Sequence, residues 1–141
     1  VYEAFMAGPE NAIELMHGYT YSAHPLACAA GLATLRVHEE LGINQHVLAV
    51  SDLWQAAALS LKGVGPVVDV RAIGLLCAVE LQALPAAPGV RGAQVAQWCF
   101  DHGVLVRGSG DTIVISPPLI ISPEHIAQVF ETLREALCQV A

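Results

Sequence analysis

Apolar positions along the chain change spacing several times, and each change marks an element. Residues 1–7 read as the end of a helix broken by Gly8-Pro9, and residues 10–21 as a loop rich in polar and aromatic side chains. Ser22 can cap a following helix, with Pro25 tolerated in its first turn, where amides have no intrahelical acceptor. Ala27, Ala30, Leu32, Leu35 and Glu39 carry that helix to a stop at Gly42. Its first half is small and apolar on every side, the pattern of a helix buried all round. Val47, Val50, Trp54, Ala57, Ala58 and Leu61 recur at helical spacing and predict a second helix over residues 44–62, ended by residues 63–66.

The spacing then changes. Residues 67–71 and 75–81 read as strands joined across Ile73-Gly74, and residues 84–89 as a loop with two prolines. A third helix is predicted over residues 90–102, with Val95, Trp98 and Cys99 on one face and Gly103 as its stop. Short strands at residues 104–106 and 112–116 follow, the second ended by Pro117-Pro118. A last helix begins after Ser122, with Ile126, Val129, Phe130, Leu133 and Leu137 as its apolar stripe. The order is helix, helix, strand, strand, helix, strand, strand, helix. It predicts an α+β fold with a small, mostly antiparallel sheet covered by helices.

Composition adds a partner to this picture. The 141 residues are 55% hydrophobic and 13% charged, where a soluble domain usually has about a quarter of its residues charged. The longest apolar stretch, residues 25–41, is interrupted by Arg36, His38, Glu39 and Glu40 and falls short of the roughly 18 unbroken residues of a spanning helix. A large apolar interface is therefore expected in place of a membrane. Six Lys and Arg against a net charge of −7 make no basic stripe for nucleic acid. Cys28, Cys77, Cys99 and Cys138 form no CxxC unit and each has apolar neighbours, so buried free thiols in a reducing compartment, the cytoplasm, are expected. Residues 1–8 carry Glu3 and no basic residue, unlike a secretory leader, and a chain starting at Val reads as a fragment.

Independent catalysis finds little support. The six histidines form neither HxH nor HExxH, no metal site is expected, GxSxG is absent, and His38 beside Glu39 and Glu40 reads as a solvated helix face. Gly108-Ser109-Gly110 reads as a tight turn between strands. Two places stand out. His17-Gly18-Tyr19-Thr20-Tyr21-Ser22-Ala23-His24-Pro25 enters a helix with hydroxyls and free amides, which suits either an anion or plain capping. Arg107 ends a greasy strand, where its planar fork suits a carboxylate, an internal ion pair or a snorkelling surface position equally.

The segment from His17 to Ala33 resembles the HGYTYS(G/A)HP(V/L)ACAAxLA stretch of class III pyridoxal-phosphate-dependent aminotransferases, and with Ala23 and Gly31 it is most similar to the β-alanine (ω-amino acid):pyruvate transaminases. Val106-Arg107-Gly108-Ser109-Gly110-Asp111-Thr112, followed by Pro117-Pro118, resembles a strand pair of the same family, and residues 1–6 look like the segment after its lysine strand. The resemblance covers essentially the whole chain. It implies the C-terminal small domain of a fold type I enzyme over residues 22–141, with residues 1–21 the tail of the large cofactor domain and an interface loop. It implies that Thr20, with Tyr19 and Gly18 beside it, binds the phosphate of pyridoxal phosphate in a homodimer. It also implies that Arg107 binds the substrate carboxylate and swings away for uncharged substituents. It implies further that the Schiff-base lysine, the aspartate facing the pyridine nitrogen and the Gly-Ser phosphate loop lie upstream of Val1; the one lysine here, Lys62, reads as a surface residue. The expected parent enzyme moves an amino group from an ω-amino acid or amine to pyruvate, with small amino and keto acids as partners. The isolated chain would be inactive. The alternative is a non-catalytic association domain, a truncated or split remnant.

Overall fold

Residues 3, 7–9 and 20–140 are described by the computed structural model, and the chain divides into two units, Val1–Val37 and His38–Ala141. The helix expected at residues 1–7 and most of the loop at 10–21 lie outside the described residues. Eight elements follow in the predicted order: α1 (Pro25–Glu40), α2 (Ile43–Leu59), β1 (Val67–Ile73), β2 (Leu76–Leu81), α3 (Val90–Asp101), β3 (Arg107–Ser109), β4 (Thr112–Ile115) and α4 (Pro123–Gln139).

α1 departs from expectation twice. Its cap is His24, not Ser22: the His24 carbonyl accepts the Cys28 amide at 2.9 Å and its Nδ1 accepts the Ala27 amide at 3.5 Å. The helix is also not buried. None of its residues is buried, and Leu26 and Leu35 stay 77% and 68% exposed. A helix apolar on all sides is covered only by neighbours on several sides, and the described residues do not provide them.

In the second unit, the four strands form one sheet in the order β1-β2-β4-β3, antiparallel throughout. Gly74, at φ +54°, opens a two-residue turn, Gly74-Leu75, between Ile73 and Leu76. The hairpin therefore closes one residue later than the sequence pattern implied. The expected strand at residues 104–106 is not in the ladder, which begins at Arg107↔Val114. Pro117 and Pro118 offer no amide to pair with that stretch. Its alternation is one of burial only, with Val104 and Val106 buried and Leu105 83% exposed.

One face of the sheet is the core face. Val70, Cys77, Val79, Leu81, Ile113 and Ile115 are buried there against α2, α3 and α4. Trp54 of α2 meets Phe130 of α4 edge-on, with centroids 4.9 Å apart, and the α4 stripe buries Ile126, Leu133 and Leu137. Ser122 caps α4 as expected, accepting the His125 amide at 3.3 Å. Arg134 of α4 donates to the Ser60 carbonyl at 3.0 Å, a cation at the negative end of α2. Cys77 and Cys99 are buried, whereas Cys28 and Cys138 are exposed, so only two of the four thiols are core residues. Cys28 follows α1 into solvent, and Cys138 lies in the last turn of α4.

Candidate active site

The other face of the sheet is open, and its residues are set by register. In antiparallel pairs, residues directly opposite share a face. Arg71 pairs with Ala78, Ala78 with Val114, and Val114 with Arg107, one row across all four strands. The two arginines of this row have different surroundings. Arg71 Nη1 donates to Asp69 Oδ2 at 2.7 Å and Glu80 Oε2 at 2.8 Å. The Glu80 bond, then the Asp69 bond, hold its proton more tightly than usual. Among the described residues no ion pair involves Arg107.

Arg107 borders an open cavity of about 1250 Å³ whose lining includes Leu76, Leu105, Val114, Pro118, Ile120 and His125. No Asp or Glu lines it. An uncompensated guanidinium beside an apolar wall suits a carboxylate on a short aliphatic chain.

β3 has only three residues, and the β3–β4 turn is what fixes them. Ser109↔Thr112 leaves a two-residue loop, Gly110-Asp111, with Gly110 at φ +58°, the first-position glycine of a tight hairpin. The turn thus sits one residue later than Gly108-Ser109-Gly110. Asp111 spans from it to the start of α3: its Oδ2 accepts the Gly89 amide at 2.6 Å and its Oδ1 the Gly92 amide at 3.1 Å. α3 has glycine at its own N-cap, with no side-chain cap, so a carboxylate 22 residues away satisfies its free amides. Sequence reasoning missed this role. The available signals were a helix start lacking Ser, Thr, Asp or Asn, and an aspartate in a hairpin turn.

Thr20 is exposed in the turn of residues 20–23 that leads into α1. The turn closes with the His24 amide on the Tyr21 carbonyl at 3.3 Å, and Ala23 takes φ +60°. Among the described residues the Thr20 hydroxyl makes no hydrogen bond, so this chain offers a hydroxyl donor near a helix start, which fits a phosphate group. Gly18 and Tyr19 lie outside the described residues. Lys62 is exposed in the turn after α2, which does not fit a lysine enclosed with a cofactor. Thr20 offers a donor suited to a phosphate and Arg107 one suited to a carboxylate, while Lys62 lacks an enclosed setting.

An antiparallel sheet with helices on one face is an arrangement this chain shares with solved transaminases. The family model of class III aminotransferases matches residues 1–137, and the chain belongs to that family, whose cofactor is pyridoxal phosphate. It is 49% identical over 140 residues to an omega-aminotransferase of Caulobacter vibrioides, covering 99% of this chain and 32% of the relative. It is 36% identical to a beta-alanine–pyruvate aminotransferase of Pseudomonas aeruginosa, covering 100% of this chain and 32% of the relative. Among solved structures, a thermostable omega transaminase variant from Pseudomonas jessenii superposes with TM-score 0.81 at 30% identity, covering 90% of this chain and 30% of that one. An adenosylmethionine-8-amino-7-oxononanoate aminotransferase from Methanocaldococcus jannaschii gives 0.84 at 28% identity, covering 98% and 33%. The chain spans about a third of the length of the curated relatives it matches.

Proposed function

We propose that this chain is the C-terminal, substrate-reading part of an aminotransferase that moves the amino group of an ω-amino acid or amine to pyruvate. The observation that carries this reading is Arg107, a guanidinium without a carboxylate partner among the described residues, beside an apolar cavity. Its fork binds the keto-acid carboxylate through two parallel hydrogen bonds and orients the carbonyl carbon. The apolar wall takes the short aliphatic part and excludes water. Thr20 donates its hydroxyl to the cofactor phosphate at the start of α1. Pyridoxal phosphate, when bound, supplies the carbonyl that carries the amino group and the electron sink for the reaction.

On this reading residues 22–141 are the small domain and residues 1–21 the end of the large one. The lysine that moves the proton lies in sequence upstream, and the 141-residue chain alone turns over nothing. The working form is a homodimer. Exposed Leu26, Leu32 and Leu35 on α1 support an apolar partner surface, and four unpaired cysteines fit a reducing cytoplasm. The rival reading, a non-catalytic association domain, shares the fold and lacks a lysine-bearing partner sequence. The test is the intact reading frame, expressed and supplied with pyridoxal phosphate, β-alanine and pyruvate. Formation of alanine supports the proposal. No alanine from β-alanine or from a panel of simple amines sinks it.

A further inference from the structure

We infer that Asp111 is a positioning residue for Arg107, acting through the β3–β4 turn. The inference rests on the keto-acid reading of Arg107. β3 is an edge strand of three residues whose ladder is to β4 alone. So short a ladder leaves its guanidinium poorly fixed unless the turn is held from elsewhere. Asp111 holds it at three points. Its carboxylate takes the Gly89 and Gly92 amides of α3, and its carbonyl takes the Leu81 amide at the end of β2, at 2.9 Å. The turn is therefore bound at once to a helix start and to a central strand, and Arg107 lies four residues before the clamp.

The helix is shaped to receive the turn. A Cβ on Gly92 would overlap the Gly110 carbonyl oxygen and stand 3.1 Å from Asp111 Cα, both backbone atoms. Any side chain at Gly92 must push the turn away from α3. Gly108, next to Arg107, has its open side against the Gly92 carbonyl and Ala96 Cβ. Glycines, Ala96 and one carboxylate thus contribute to the contact between α3 and the arginine-bearing hairpin. That combination allows close backbone approach and makes the hairpin's seat depend on Asp111.

The chemical consequence is selective. Losing the clamp displaces the group that reads the carboxylate, and displacements near 1 Å can cost up to about a hundredfold. An acceptor without a carboxylate does not use that group. The test uses the full-length holoenzyme carrying Asp111→Ala, Asp111→Asn or Gly92→Ala, with Arg107→Ala for reference, and measures kcat and KM for pyruvate and for propanal. Asp111→Ala should raise the pyruvate KM about tenfold or more, with a much smaller change for propanal. Asn keeps one acceptor oxygen and should fall between Ala and wild type. Gly92→Ala leaves the carboxylate in place, moves the turn, and should repeat the selective loss even if Asp111→Ala fails to fold. Equal losses on both acceptors, or an unchanged pyruvate KM in folded variants, overturn the inference while Arg107→Ala remains selective. If Arg107→Ala is itself unselective, the keto-acid reading falls and this inference with it.

Discussion

Arg71 and Arg107 stand at opposite ends of one cross-strand row, separated by Ala78 and Val114. Three strand spacings put their backbones roughly 14 Å apart. Only Arg71 is neutralised, by Asp69 and Glu80. The two residues therefore serve as each other's control in the full enzyme. Arg107→Ala should impair pyruvate far more than an uncharged aldehyde, by roughly 1.5–3 kcal/mol for a charge-assisted pair. Arg71→Ala should touch both acceptors alike and little, as expected for an exposed ion pair. Steady-state kinetics on the two acceptors decide it. Equal losses for Arg107→Ala count against its assignment.

Thr20 is tested by cofactor affinity. Its hydroxyl, exposed before α1, would donate to a phosphate oxygen, and one hydrogen bond to a charged group contributes about 1.5–3 kcal/mol. Thr20→Ala in the full-length dimer should weaken pyridoxal phosphate binding by that order and leave the urea midpoint of the small domain where it was. A wild-type dissociation constant in a persistent dimer would reduce Thr20 to a packing residue.

Element order was legible because glycine and proline punctuate the chain: Gly42, Gly63, Gly103 and Pro117-Pro118 each end or divide an element. Strand order was not, because β2 pairs with β4 across the whole of α3, and no local pattern encodes a pairing at that separation. Val104–Leu105–Val106 misled because alternation reports burial, not pairing. α1 misled in the opposite way: its composition calls for burial, yet its cover is not among the described residues. Arg107 drew notice from sequence as a cation after an apolar run. Asp111 did not, because its meaning lies in amides 19 and 22 residues away.

Lys62 gives a direct chemical test of where the cofactor is anchored. It is exposed after α2, and an exposed side chain has no enclosing site to hold an aldehyde against it. The 141-residue chain incubated with pyridoxal phosphate at neutral pH and reduced with borohydride should show no stoichiometric adduct by intact mass. A single stable adduct mapped to Lys62 would contradict the placement of the anchor upstream.

The buried thiols predict an alkaline limb in stability. Burial raises Cys77 to about 12 and Cys99 to about 11, from 9.0 when free. Below pH 9 both states keep both protons, so the full stability is present. Above it the unfolded chain releases protons that the folded one retains, and stability falls until the folded thiols titrate in turn. Each thiol can cost about 1.4 kcal/mol per pH unit across that window. Urea unfolding of the chain at pH 8 and pH 10 should therefore show a steeper loss for wild type than for Cys77→Ala/Cys99→Ala, even though the double variant starts lower for want of core volume. Cys28 and Cys138, being exposed, should carry the fast native reaction with a thiol reagent at pH 8. Cys77 and Cys99 should react only in denaturant. Parallel pH slopes in the two proteins, or four fast thiols in the native chain, would show that Cys77 and Cys99 are not sealed in the core between the sheet and its helices.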